Sequence, residues 1–270
     1  MYYIGYLNAN SLHDRKFAQA ICLLEQSFDI LFIAEHWYQH HELRLSHPLV
    51  YCSTTRHINH GKSPPHSRSH GGIYLLVKSH HRPLIQSTIS TTHSITVWLP
   101  VFRFAAVYYP PYSIQEESIK ASLHPIGPID LLLGDINTTF ASAIKLTTNR
   151  SNSTISHPSR LFQSWVVESN MVHITDIYQH RLSHKILDQA FSSIKLQSKI
   201  TLSLIPTASL PFSTDHKYLL HIHYANPLSD TSRDSIPQPE SRPPPGPIRF
   251  HVQRLKNPET VPQYEKVWTM

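Results

Sequence analysis

Short apolar runs bounded by turn-forming residues are the feature that most constrains this chain. Residues 2–7, 30–34, 49–52, 73–77, 95–99, 102–109, 129–133, 186–194, 200–204 and 217–223 each read as a strand. Helical spacing is rarer. Residues 14–27 set Phe17, Ala20, Ile21 and Leu24 on one face, with Ser11 as the expected cap, and weaker patterns cover 114–123 and 158–169. Strands outnumber helices and the helices fall between strand groups. The expected class is α+β, an α/β sandwich in which helices cover two packed β-sheets.

The chain has 270 residues, enough to bury a substantial core, and its 40% hydrophobic and 16% charged content excludes wholesale disorder and a long coiled coil. The 24 Lys and Arg against 18 Asp and Glu give a formal charge of +6, which favours nucleic acid as a partner over a membrane. Only Cys22 and Cys52 are present, so no disulfide framework exists. The start lacks a secretory pattern and no apolar run reaches the ~20 residues of a membrane span. The expectation is an intracellular protein of the nucleus or cytoplasm, not secreted. After Tyr224 the composition turns to proline, serine and arginine. Residues 1–224 are expected to form one domain, 225–247 an extended Pro-rich linker, and 248–270 a short tail.

Polar residues suited to metal and phosphate chemistry stand at the strand ends, where a sheet holds a side chain firmly and leaves its tip accessible. They are Asn8 and Asn10, Glu35, Tyr108, Asp135 and Asn137, and Asp215 with His216, while Asp188 falls within a strand run. Cleaving a phosphodiester needs a hard cation, a group that orients water and donors for the developing charge. Glu35, Asp215 and Asn8 offer oxygens of the kind Mg2+ takes. Asp135 is placed to activate water with Asn137 orienting it, and His216 to donate to phosphate with Asp188 holding its ring. Any one of these residues, taken alone, reads more readily as a turn former. Their joint order carries the argument.

That order resembles the endonuclease/exonuclease/phosphatase superfamily, most closely the apurinic-type endonuclease domain of non-LTR (LINE-type) retrotransposon polyproteins. Tyr6-Leu7-Asn8-Ala9-Asn10 resembles the opening Asn motif, and the run from Asp29 to Trp37 resembles the strand that delivers the metal-binding Glu. Gly71-Gly72 before 73–77 and Val107-Tyr108-Tyr109-Pro110 are similar to two further blocks. Leu133-Gly134-Asp135-Ile136-Asn137 resembles the Gly-Asp-Phe-Asn signature with Ile in place of Phe. Ile186-Leu187-Asp188 and Ser213-Thr214-Asp215-His216 resemble the closing Asp and Ser-Asp-His blocks, with Thr214 at the Ser position. The stretch from Pro247 to Leu255 is similar to the segment that leads toward a reverse transcriptase.

The resemblance implies a four-layer α+β sandwich of two mixed sheets flanked by helices, and an Mg2+- or Mn2+-dependent endonuclease that cleaves DNA without a small-molecule cofactor. It implies that Glu35, Asn8 and Asp215 bind metal. Tyr108 contacts phosphate, Asp135 and Asn137 manage the nucleophile, and Asp188 orients His216. One departure stands out: only 179–185 separates Tyr178 from Ile186, where the family has a longer segment with an additional strand. The expected result is a gap in one sheet and a displaced Asp188, hence impaired activity. The alternatives are a catalytically inactive DNA-binding remnant and a phosphatase of the same superfamily. Two histidine-rich stretches, His36 with His40 and His41, and Cys52 to His70, read as sheet-edge packing and as a basic loop rather than as metal clusters.

Overall fold

In a computed structural model of the chain, residues 1–37, 47–54, 57–58, 69–109, 123–137, 157–175, 188–210 and 214–225 are described. The first sheet takes strands β1 (Tyr2–Asn8), β2 (Ile30–Ala34), β3 (Val50–Ser53), β6 (Ile73–Val77), β13 (Ile200–Pro206) and β14 (Tyr218–Tyr224), in the order β13-β14-β1-β2-β6-β3. Strands β4 (His57–Ile58) and β5 (Ser69–His70) make a separate two-stranded pair. The second sheet takes β7 (Ser87–Ser90), β8 (Ser94–Trp98), β9 (Arg103–Tyr108), β10 (Leu131–Asp135), β11 (Met171–His173) and β12 (Asp188–Ser193), in the order β11-β12-β10-β9-β8-β7. Each sheet is antiparallel except at its centre, where β1 runs parallel to β2 and β9 parallel to β10.

The central strands are apolar on both faces because both faces are covered. Toward the other sheet, Tyr2, Ile4, Tyr6, Phe32, Leu75, Phe104, Ala106, Leu133 and Ile222 form one continuous core. Phe32 meets Phe104 edge to face there, with ring centroids 5.8 Å apart. On the outside of the first sheet, helix α1 (Asp14–Ser27) lays Phe17, Ala20, Ile21, Leu23 and Leu24 against Leu31, Ile33 and Leu76. On the outside of the second, helix α2 (His157–Glu168) packs Phe162 and Val166 over Val107, Leu132 and Phe191. Helix, sheet, sheet and helix make four layers, as expected from the sequence. No helix among the described residues is long and apolar enough to cross a membrane.

Three local expectations change. Helix α1 is capped by His13, whose Nδ1 accepts from the Lys16 amide, rather than by Ser11. Ser11 sits at φ 77 in the turn that brings the chain from β1 into the helix, with its own amide donating to the Glu35 carbonyl. Strand β7 has no counterpart in the sequence reading: Ser-Thr-Ile-Ser is an exposed edge strand and buries no apolar run. Finally, β11 pairs with β12 and β12 with β10, so the second sheet is continuous where a gap was expected. The expected helix over 114–123, apart from its last residue, the short segment 179–185, His40, His41 and the linker and tail from 226 onward lie outside the described residues.

Candidate active site

The site lies where the two parallel pairs end. Parallel neighbours finish at the same edge of a sheet, so the residues that close them arrive side by side. Asn8 ends β1 opposite Ala34, and Glu35 follows immediately. Asp135 ends β10 opposite Tyr108, the last residue of β9. On the other flank of β10, Asp188 opens β12 directly opposite Asp135. His216 precedes β14, the strand that flanks β1. Two sheets thus bring residues far apart in sequence to one end of the sandwich.

Side-chain contacts then join them. The Asn8 amide Nδ2 donates to Glu35 Oε1 at 2.9 Å and to Asp135 Oδ2 at 3.2 Å, bridging the sheets. Its Oδ1 accepts from the Asn10 amide, which fixes the amide so that its nitrogen faces the carboxylates. The Asn137 amide nitrogens hold Asp135: the backbone N–H donates to Oδ1, and Nδ2 donates to Oδ2 and to the Tyr109 carbonyl. Asp188 Oδ2 holds His216 Nδ1 at 2.8 Å, and His216 Nε2 then stands 3.6 Å from Asp135 Oδ2. The shortened segment therefore leaves Asp188 in register with His216. Tyr108 lies near Glu35, and burial followed by the Glu35 and Asp135 charges raises its phenol above the ordinary range. Asp215 is exposed at the rim and acts on Tyr108, Asp188 and His216 through its charge.

Electrostatics follow from burial. Asp135 and Asp188 are almost fully buried and face each other across adjacent strands, an unfavourable arrangement for like charges. Burial, then Asp188, and to a lesser degree Glu35 push the Asp135 carboxyl up to about 8, with His216 opposing. Burial also raises Asp188, again against His216. For His216 burial disfavours the charge, but Asp188, Asp135 and Asp215 outweigh it and lift the imidazole to about 9. All three groups bind protons more tightly than they would in water. A cation fits such a cluster. Glu35, Asp135 and His216 each offer an atom within 4.8 Å of the others, and Asp188 Oδ1 is buried without a hydrogen-bond partner among the described residues. The carboxylate oxygens are hard donors, suited to Mg2+ or Mn2+.

Several residues quoted in the sequence motifs have supporting roles that the sequence reading did not assign. The Tyr6 hydroxyl donates to the Val107 carbonyl and accepts from the Asp135 amide at 2.9 Å, tying the first sheet to the second directly behind the carboxylate. Burial, with Asp188 and Asp135 adding to it, keeps this phenol protonated. Thr214 Oγ1 donates to the Asn8 carbonyl and accepts from the His216 amide, which pins the loop carrying the imidazole. At Gly134 a Cβ would lie 2.2 Å from the Val107 carbonyl oxygen, so no other residue fits between β9 and β10 there. Glu35 and Asn137 both adopt positive φ, 53° and 47°, turning sharply as their strands end. Their hydrogen bonds to neighbours hold them there. His36 stays out of the cluster, its ring tilted against Tyr74 with centroids 4.2 Å apart, as expected of a packing residue.

No family model and no curated protein matches the sequence. Solved structures do match the fold. A 3′ phosphatase, NExo, from Neisseria, bound to a product DNA hairpin, superposes with a TM-score of 0.55 at 15% identity, over 83% of this chain and 100% of that one. The endonuclease domain of TRAS1, a telomere-specific non-LTR retrotransposon, gives 0.52 at 12% identity, over 84% and 100%. The AP endonuclease LMAP from Leishmania major gives 0.55 at 15% identity, over 83% and 88%. At these identities the likeness concerns the fold alone: this chain shares its two-sheet, four-layer architecture with those three solved structures.

Proposed function

We propose that the chain is a divalent-metal-dependent hydrolase of DNA phosphodiester bonds, an endonuclease of the non-LTR retrotransposon kind. The observation that carries this reading is the imidazole of His216, anchored by Asp188 in one sheet and aimed at Asp135 with Glu35 beside it. That arrangement pairs a proton donor with a carboxylate acceptor inside one group of oxygen ligands. The net charge of +6 suits a polyanion.

Glu35 and Asp135 would hold the ion, with Asp215 adding negative charge at the rim; Asn8 bridges the two carboxylates through its amide nitrogen. A bound Mg2+ or Mn2+ supplies neutralisation of the non-bridging phosphate oxygens. The chain's own side chains do the rest. His216, charged at neutral pH, donates through Nε2 toward a phosphate oxygen while Asp188 keeps its ring in place. Asp135, steadied by Asn137, accepts the proton of the attacking water in its ionised form, whose share grows as pH rises toward 8. Tyr108, kept neutral by burial and by the carboxylates around it, offers a hydroxyl donor.

Nicking of supercoiled plasmid in the presence of Mg2+ tests the reading. The unaltered chain converts the plasmid to open circles, and Asp135→Ala and His216→Ala do not. Tight DNA binding with no nicking by the unaltered chain would establish the inactive remnant instead. The likeness to NExo favours one second reading, removal of a 3′-terminal phosphate. Release of phosphate from a 3′-phosphorylated hairpin, with supercoiled plasmid left intact, would establish it.

A further inference from the structure

A second group of metal-ligating side chains stands at the far end of the sandwich. Strand β2 is bracketed by Asp29 and Glu35, six residues apart, which at about 3.3 Å per residue separates them by roughly 20 Å. Glu35 belongs to the site above. Asp29 faces the 3-10 turn Ser79–Leu84 that follows β6. There His80 and His81 each bring a ring nitrogen to within 4.8 Å of the Asp29 carboxylate and of one another.

Backbone hydrogen bonds build this corner. The Asp29 amide donates to the Tyr3 carbonyl, the Lys78 amide to the Asp29 carbonyl and the His81 amide to the Lys78 carbonyl. Asp29 Oδ2 accepts from the Tyr3 amide at 2.9 Å, leaving Oδ1 facing the histidines. His81 Nε2 lies 3.0 Å from that Oδ1, and its ring rests against Tyr2. The neighbouring His80 is exposed, with its ring centroid 4.1 Å from that of His81. Burial, and then His80 and Lys78, hold His81 below the ordinary imidazole range in spite of Asp29.

We infer that Asp29, His80 and His81 form a binding site for a first-row transition-metal ion of the Zn2+ type, separate from the phosphodiester site. Two imidazoles and one carboxylate are the donor set of such ions rather than of Mg2+. Metal bonds of about 2.0–2.1 Å place tetrahedral ligand atoms about 3.3 Å apart, so a rotation of the exposed His80 ring closes the group around the ion. Lys78 Nζ stands 3.8 Å from Asp29 Oδ1 and swings into water as the ion replaces it as counter-charge. The bound ion ties the starts of β1 and β2 to the end of β6, stapling one end of the first sheet. It leaves a ligand position open to water.

Titration of the metal-free full chain with Co2+, followed by visible ligand-field absorption, tests the site. One tight equivalent is expected, displaced by Zn2+, absent in His80→Ala and His81→Ala and retained in Asp135→Asn. Lys78→Ala should tighten it a few-fold, because it removes a competing cation. Because His80 is exposed, metal-free His80→Ala should melt with the unaltered chain but lack its rise in Tm on adding Zn2+. The proposal is overturned if His80→Ala binds Co2+ like the unaltered chain, or if Asp135→Asn abolishes the signal. The chain carries 21 histidines, and signal spread among them would survive either single substitution.

Discussion

The two sheets share one plan and differ in what they carry to the site. Each has an antiparallel flank, a central parallel pair and a second antiparallel flank, and in each the parallel pair ends at the active end. The second sheet delivers Asp135 and Asp188 opposite each other, two buried carboxylates with no cation on their own strands. From the first sheet come His216, which sits between them, and the Asn8 amide, which donates to Asp135. An arrangement that is unfavourable within one sheet becomes favourable only when the other docks. The polar end of the sandwich therefore acts as an adhesive between the sheets.

Substitutions can break or sharpen that comparison. The largest effect is expected on rate: His216→Ala should lower plasmid nicking by about 100- to 10,000-fold, the usual range for losing a positioned acid. The same substitution leaves the two carboxylates facing each other. Urea unfolding should show a loss of about 3–5 kcal/mol, the range for breaking one member out of a buried ion pair. Adding Asp188→Asn to it should recover part of that loss, and no recovery would refute the carboxylate repulsion as its cause. Tyr6→Phe removes both hydrogen bonds behind Asp135 and should cost about 1–3 kcal/mol, read by the same unfolding curves. A contact internal to the second sheet gives the control: Gly134→Ala should push β9 from β10 and cost about 1–3 kcal/mol with a lowered nicking rate. The smallest change in rate is Gly127→Ala, at a glycine with φ 59 and ψ −159 and open space around it, where backbone strain alone should cost about 1–3 kcal/mol and leave nicking unchanged.

Much of the framework could be read from the sequence because it rests on local pattern. Helix α1 spans the residues whose spacing sets Phe17, Ala20, Ile21 and Leu24 on one face. The doubly covered central strands are apolar runs that need no partner to be recognised. Where burial is slight the signal fails, as at β7 and at the three-residue β11. In the site, residue types at strand ends pointed to Asp135, Glu35 and His216, since that chemistry leaves few choices of side chain. Distances across the sandwich left no such mark. Nothing near Tyr6 announces a hydroxyl that reaches residues 101 and 129 positions away. Nothing near Asn8 reveals which way its amide turns, and a segment length gave the wrong forecast for Asp188, whose position is set by pairing with β10.

The Tyr6 hydroxyl has one more implication. It joins the opening strand of the chain to a carboxylate that is translated much later, and it can make both bonds only once the halves have closed on each other. A cluster wired in this manner is incomplete in any nascent or half-opened molecule, so the last step of its assembly is the docking of the two sheets.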